Sequence, residues 1–261
     1  MTAPAGVQRL VPALSIVAAI LVWEGLVRLL HVPQWLLPAP TVIAAEIAAK
    51  PQVFVQHALV TAGEIVLGFV ASVVVGVPLA FAIAHSRLFE RAVYPLLVAS
   101  QAVPKVAIAP LLIVWFGFGT LPKVVVAFLI AFFPIVIDTV VGLRSVPPEM
   151  LHLARSMGAT GWQTFCKIRL PKALPSLFAG LKVAITLAVV GAIVGEFVAA
   201  DRGLGYLLMI ASGEMNSRML FAAILVLTLM GVLFFALIEA LERWCIPWHA
   251  GRADESVHGT A

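Results

Sequence analysis

Charged residues are scarce in this sequence. Only 11% of its 261 residues are Asp, Glu, Lys or Arg, whereas soluble domains contain about 25%. Hydrophobic residues make up 62%, compared with about 45–50% in soluble domains. A soluble domain of this length would need more polar surface than the chain can supply. The composition therefore excludes a soluble globular protein and indicates an integral membrane protein.

The sequence also lacks the motifs of several other functional classes. Neither of its two cysteines, Cys166 and Cys245, has a second cysteine or a histidine at the spacing of metal ligands, so we expect no metal site and no bound cofactor. A glycine-rich phosphate loop of the form G-x-x-x-x-G-K-[S/T] is absent, which indicates that the chain is not an ATP-hydrolysing enzyme. Basic residues do not interleave with aromatic ones in any run, which argues against nucleic-acid binding.

Long apolar stretches point directly to a membrane protein. A helix of about 20 apolar residues crosses about 30 Å of hydrocarbon. The fold class predicted is therefore all-α, a polytopic membrane protein with about six transmembrane helices. The candidate spans are residues 11–30, 58–84, 94–116, 122–142, 174–199 and 219–242.

Helix-breaking residues interrupt the third of these spans. Pro104 and Pro110 are predicted to break or kink it, because proline removes a backbone hydrogen bond and clashes with the preceding turn. The same span contains the polar residues Gln101 and Lys105. The spans are therefore not expected to be a set of straight rods.

The distribution of lysine and arginine predicts the orientation in the membrane. With both termini in the cytoplasm, the inside segments hold most of these residues, namely Arg9, Arg87, Arg91, Arg144, Arg155, Lys167, Arg169, Lys172, Arg243 and Arg252. The outside segments hold Lys50, Lys123, Arg202 and Arg218. The reverse orientation would invert this bias. Both cysteines then lie on the cytoplasmic side or at its membrane boundary, where a disulfide is not expected.

A polar segment at residues 147–173 interrupts the apolar chain and is predicted to form two short helices. In the first, four apolar residues recur at the spacing of one helix face, namely Met150, Leu153, Ala154 and Met157. Gly158 fits a left-handed stop after this helix, and Thr160 followed by Gln163 is a capping-box signature for the second. Short amphipathic helices in a cytoplasmic loop indicate a surface that docks onto a soluble partner.

This segment resembles the "EAA" loop of permease subunits in binding-protein-dependent ABC importers. The resemblance lies in Ala154-x-x-x-Gly158, followed after nine residues by Ile168-x-Leu170-Pro171. In that family the loop is a coupling helix seated in a cleft of the ATPase subunit. The family pattern opens Glu-Ala-Ala, whereas this chain has His152-Leu153-Ala154. The coupling residues that the resemblance implies are Glu149, His152, Leu153, Ala154, Gly158, Ile168, Leu170 and Pro171.

Two further segments are similar to the branch of this family that imports nitrate, sulfonates, taurine and some vitamin precursors. The first runs from Gln101 to Gly117, and the second runs from Gly195 to Tyr206. The resemblance implies a type I ABC importer permease in the bacterial inner membrane, surrounded by membrane lipid. The domains expected are an N-terminal helix and external segment at 1–57, a permease domain at 58–245 with the coupling loop at 147–173, and a cytoplasmic tail at 246–261.

The resemblance also implies partners and a mechanism. Two permease copies, commonly identical in this branch, would join two ABC ATPase subunits and receive solute from a periplasmic or lipid-anchored binding protein. ATP binding in the partner subunits would drive alternating access of the pore. The solute expected is a small organic anion such as a sulfonate or taurine, or nitrate, and the alternative is a pyrimidine-type vitamin precursor.

Charged side chains within spans usually face a protein interior or a water-filled path, because they are costly to place in lipid. Asp138 and Lys182 are expected to reach the inner interface or to pair with each other. The candidate pathway residues are Gln101, Lys105 and Glu196. Opposite charges offset each other's desolvation, so Lys105 and Glu196 are predicted to form a pair that closes the outer half of the pathway.

Two other functions remain open. An ion-coupled secondary carrier would use the intramembrane carboxylates Glu64, Asp138 and Glu196 to relay protons. A membrane scaffold would show no solute flux at all. The docking loop favours the importer subunit over both.

Overall fold

The structure is a computed structural model that describes residues 5–248, with side chains from residue 14 onward except at position 199. The predicted tail therefore lies outside the described residues from position 249. Every regular element in the described part is helical, which confirms the all-α fold. The helices are α1 (Ala5–Leu29), α2 (Pro40–Ala49), α3 (Pro51–His85), α4 (Arg87–Ser100), α5 (Lys105–Phe116), α6 (Thr120–Arg144), α7 (Pro148–Ser156), α8 (Gly161–Thr164), α9 (Leu170–Ala199), α10 (Leu204–Gly213) and α11 (Ser217–Cys245).

Among residues 5–248, four helices are long and apolar enough to cross a membrane: α3, α6, the continuous segment Gly161–Val198, and α11. The third predicted span is instead two helices, α4 and α5, which meet at an angle of 95°. Pro104 lies at this break with extended backbone angles and begins α5 as its N-cap, so the predicted disruption is confirmed at Pro104. Pro110 lies inside α5, which continues through it, so no break occurs there. The first predicted span corresponds to α1, and part of it lies outside the described side chains.

The segments between the predicted spans contain additional helices. The stretch 31–57 holds all of α2, and α3 begins at Pro51 rather than at residue 58. Both helices carry proline in or just before the first turn, where its missing N–H group has no helical partner to lose. The segment 200–218 likewise holds α10. Its N-cap is Gly203, which has a φ of 120° that favours glycine.

The chain divides into two compact units. The first comprises the described residues up to Val60 together with Arg202–Thr228. Within it, the Glu24 carboxylate accepts hydrogen bonds from Arg28 Nε (2.6 Å) and from the Thr41 backbone N–H (3.0 Å). The Gly203 backbone N–H donates to His57 Nδ1 (2.9 Å). These bonds join α1 to the start of α2, and α3 to the start of α10.

The second unit comprises Thr61–Asp201 and the described residues from Leu229 onward, and it contains the most extensive helix pairing, between α6 and α9. A methyl group added at Gly191 would lie 2.6 Å from the Ala127 Cα atom. One added at Gly142 would lie 2.8 Å from the Ala173 carbonyl oxygen. Because small residues allow backbones to approach closely, they supply the dispersion contacts that hold helices together in lipid.

Gly191→Ala is expected to lower the free energy of unfolding by about 1–3 kcal/mol, because the Ala127 backbone must move to admit the new methyl group. Gly231→Ala in α11 is the matched control, since its methyl group would meet no atom within 4 Å. Chemical denaturation of both purified variants in detergent measures the difference. Equal stability of the two variants would contradict close α6–α9 packing.

Candidate functional site

A cluster of charged side chains is buried between three helices of the second unit. Glu64 of α3, Lys123 of α6 and Glu196 of α9 are 1%, 3% and 1% exposed. Lys123 Nζ lies 2.5 Å from Glu64 Oε1, and Thr61 Oγ1 donates a 2.6 Å hydrogen bond to Glu196 Oε1. Buried charges are stable only when they are paired and hydrogen-bonded. The cluster therefore ties α3, α6 and α9 to one another.

A glycine makes this arrangement possible. Gly195 precedes Glu196, and a methyl group placed on it would lie 2.8 Å from the Lys123 Cα atom. The α9 backbone can consequently approach Lys123 where any larger residue would hold the two helices apart.

The structure corrects the predicted pairing of Lys105 with Glu196. The Lys105 ammonium donates to the Gln101 side-chain oxygen, and the Glu196 carboxylate accepts from Thr61. The physical reason is the break at Pro104, which makes Lys105 the first residue of a new helix instead of a residue within one continuous span. The translocation pathway stays a prediction, with Gln101, Lys105 and Glu196 as its candidate lining.

Lys123 is predicted in an external segment. Its side chain is buried against Glu64, and the side of the membrane on which it lies stays a prediction. Lys123 stands at the start of an apolar stretch, a position that permits either an exposed or a buried side chain. A useful signal is that Glu64 lies in the middle of an apolar helix and requires a cation from another helix.

Of the two expectations for Asp138 and Lys182, pairing with each other is wrong, and reaching the inner interface stays a prediction. The Lys182 ammonium forms an ion pair with Glu242 of α11. Asp138 instead packs against Gly180 of α9, which has no side chain. A methyl group added at Gly180 would lie 2.7 Å from the Asp138 Cβ atom.

The first helix of the predicted coupling loop has the expected boundaries. Pro147 and Pro148 lie at the N-terminus of α7, and Gly158 follows its C-terminus with a φ of 77°. The Ala159 N–H donates to the Ala154 carbonyl (3.0 Å) and the Gly158 N–H to that of Arg155 (3.0 Å). These two bonds form the Schellman motif, which satisfies carbonyls at a helix end. The predicted left-handed stop at Gly158 is confirmed.

The second predicted helix is not separate. Its capping box is confirmed, because Gln163 N–H donates to Thr160 Oγ1 (3.2 Å) and Thr160 N–H donates to Gln163 Oε1 (2.9 Å). Beyond it, α8 passes through a π-helical turn at Phe165–Arg169 directly into α9. Pro171 lacks an N–H group and its ring crowds the carbonyl four residues earlier, so a widened turn accommodates it. Ile168, Leu170 and Pro171 consequently belong to one continuous helix.

The loop exposes apolar side chains of considerable size. The exposed large apolar residues are Met150 and Leu153 of α7, Met157 directly after it, and Trp162 of α8. Glu149, His152 and Gly158 are exposed as well. Ala154 is only 7% exposed, because this chain already covers most of it, and its role in coupling stays a prediction. An outward apolar face beside spanning helices is typical of a docking site.

Long apolar helices joined by a structured polar loop define a polytopic membrane protein with a candidate docking site. Residues 72–246 match the family described as "Binding-protein-dependent transport system inner membrane component", and the chain belongs to this family. It is therefore a permease subunit of the ABC transporter class, as the sequence resemblance predicted.

Relatives of known name support this membership. The chain is 39% identical over 242 residues to the formylaminopyrimidine transport permease protein ThiX of Halalkalibacterium halodurans, covering 92% of this chain and 96% of that one. It is 40% identical over 230 residues to the riboflavin transport system permease protein RibX of Chloroflexus aurantiacus, covering 87% and 86%. The taurine transport system permease protein TauC of Escherichia coli is 28% identical over 235 residues, covering 87% and 86%.

A solved structure shows the same fold. The MetNI methionine ABC transporter, described in inward-facing conformations, contains a chain that superposes with a TM-score of 0.65. The match covers 75% of this chain and 97% of that one, with 21% sequence identity. The fold is thus that of ABC transporter membrane subunits.

Removal of the buried ammonium is expected to be costly. Lys123→Met should lower the free energy of unfolding by about 3–5 kcal/mol, because the Glu64 carboxylate loses its cation. The double variant Lys123→Met/Glu64→Gln should lose less, since that carboxylate is also removed. Lys50→Met is the control, because the Lys50–Glu46 pair is at the surface and contributes little. Equal losses for Lys123→Met and the double variant would contradict a stabilising ion pair.

Proposed function

We propose that this chain is the pore subunit of an ATP-driven importer that moves a small solute by alternating access. The single observation that carries the proposal is the outward apolar face of Met150, Leu153 and Met157, in a loop that continues into a spanning helix. Membership of the binding-protein-dependent family supports the direction of transport. ATP hydrolysis is assigned to partner subunits, because the chain has no phosphate-binding loop.

The loop is suited to transmit movement from an ATPase. Its apolar residues Met150, Leu153 and Met157 provide area for a partner, and α8 runs through the π-helical turn into α9 without an interruption. A displacement of the loop would therefore move α9 as a rigid body. Because α9 packs on α6 throughout, the two helices would move together.

The assembly proposed contains two copies of this permease, two ATPase subunits and a periplasmic or lipid-anchored solute-binding protein. It resides in the bacterial inner membrane with both permease termini in the cytoplasm. The bias of lysine and arginine supports this orientation. It places the loop formed by α7 and α8 on the side where ATP is available.

The relatives shift the proposed solute. ThiX and RibX, at 39% and 40% identity, are named for a formylaminopyrimidine and for riboflavin, whereas TauC, at 28%, is named for taurine. We therefore place a nitrogen-containing heteroaromatic vitamin or vitamin precursor ahead of the sulfonate or nitrate that the sequence resemblance favoured.

Uptake assays test the solute directly. Vesicles with the assembled importer should take up labelled formylaminopyrimidine or riboflavin in preference to taurine when ATP is supplied. An uncoupler should have no effect while ATP is held constant. Uptake that collapses with the uncoupler would instead support an ion-coupled carrier, and absence of flux for all three solutes would contradict this choice of solute.

Thiol labelling tests the orientation. After Cys166 and Cys245 are replaced, a cysteine at Ser212 should react with an impermeant reagent added outside intact cells. A cysteine at Ser156 should react only after the membrane is opened. The opposite pattern would reverse the orientation and remove the loop from the cytoplasm.

Substitution of Gly158 tests the coupling loop. Gly158→Ala should strain the left-handed stop by about 1–2 kcal/mol and lower both ATPase co-purification and transport severalfold. Gly161→Ala is the matched control, because a methyl group at either glycine meets no atom within 4 Å and only Gly158 has a positive φ. Equal transport and ATPase stoichiometry in both variants would separate the loop from the mechanism.

A further inference from the structure

A cavity of about 640 Å³ lies between the end of α3 and the loop formed by α7, α8 and the π-helical turn. Its aromatic side is built by Phe165, which contacts Phe81 edge-on (centroids 5.4 Å apart) and stacks on Trp162 (5.7 Å). Its polar side is basic and is lined by His85, Arg155 and Arg169. The cavity therefore combines an aromatic wall with two guanidinium groups.

The charge of this cavity is uncompensated in the described part of the chain. Its lining contains no aspartate or glutamate. Within residues 5–248, no acidic side chain forms an ion pair with Arg155 or Arg169, in contrast to Arg144, whose Nη1 lies 2.6 Å from Glu90 Oε1. Arginine presents a planar array of donors that matches phosphate oxygens, so such a site favours a phosphate-bearing anion.

The cavity also lies where a spanning helix ends. Its α3 residues are Phe81 and the terminal residue His85, one helical turn apart. The 35 residues of α3 extend about 52 Å, which exceeds the roughly 30 Å of hydrocarbon. The predicted span 58–84 ends next to His85, so under the proposed orientation this end of α3 lies at the level of the cytoplasmic lipid headgroups, where aromatic side chains such as Trp162 are favoured.

The cavity uses a different face of α7 from the proposed ATPase contact. Leu151 and Arg155 line the cavity, whereas Met150, Leu153 and Met157 are the exposed apolar residues. At about 100° per residue, the two faces are about 150° apart around the helix. An ATPase bound to Met150, Leu153 and Met157 would therefore leave the basic cavity available to the membrane.

We propose that this cavity binds the phosphate headgroup of an anionic membrane phospholipid, with Arg155 and Arg169 as the phosphate ligands. The inference rests on the proposed cytoplasmic placement of the loop, where anionic lipids attract basic residues. The headgroup would connect the end of α3 to the loop beside α8. Lipid charge would in this way stabilise the position of the coupling loop.

The experiment measures lipid binding to the purified importer, with its ATPase subunits, by native mass spectrometry. The probes are phosphatidylglycerol and phosphatidylcholine with identical acyl chains. Arg155→Gln/Arg169→Gln should weaken phosphatidylglycerol binding at least about tenfold and leave phosphatidylcholine unchanged. Arg87→Gln/Lys167→Gln is the matched control, because it removes the same charge from exposed residues outside the cavity.

Several results would overturn the proposal. An equal loss of phosphatidylglycerol binding in the two double variants would show that the effect comes from general surface charge. Full competition by inorganic phosphate would indicate a soluble anion, and loss of ATPase subunits with lipid binding intact would assign the cavity to the ATPase interface. If the double variant does not fold, each single Gln variant is measured, and unchanged binding in both rejects the site. Failure of transport with normal lipid binding would concern only the proposed function.

Discussion

The close approach of α6 and α9 is the constraint on which the rest of the second unit depends. Lipid tails provide no hydrophobic force between helices, so association relies on close backbone contact and on buried polar pairs. Gly142 and Gly191 allow that contact at two positions along the helix pair. Gly195 allows it again beside Lys123, which brings the buried charges within reach of one another. Packing of small residues thus lets the Glu196 end of α9 lie beside Lys123.

This geometry connects the two ends of α9. At one end, Glu196 is held by Thr61 next to the Lys123–Glu64 pair. At the other end, the helix continues through the π-helical turn into α8 and the capping box of Thr160. Under the proposed function, a partner that moves the loop acts on a rigid element whose far end is fixed by charge. Conformational change would then require α6 and α9 to move as a pair.

The incorrect sequence predictions have a common origin. Position along a span predicts a partner for Lys105 and for Lys182, and each of these lysines has a different partner in the structure. The partner of a charged side chain depends on which helix faces it and at what height. Neither quantity follows from hydropathy. The loop was predicted more accurately, because caps and stops depend on residues only a few positions apart.

The sequence by itself determined the membrane class, the helical fold, the break at Pro104 and the stop at Gly158. Each follows from local chemistry: apolar length, a missing N–H group, or a left-handed backbone that favours glycine. Only the tertiary structure decided which charges pair, that Ala154 is covered, and that Arg155 and Arg169 share one cavity. These features join residues far apart in sequence, and the packing of whole helices places them together.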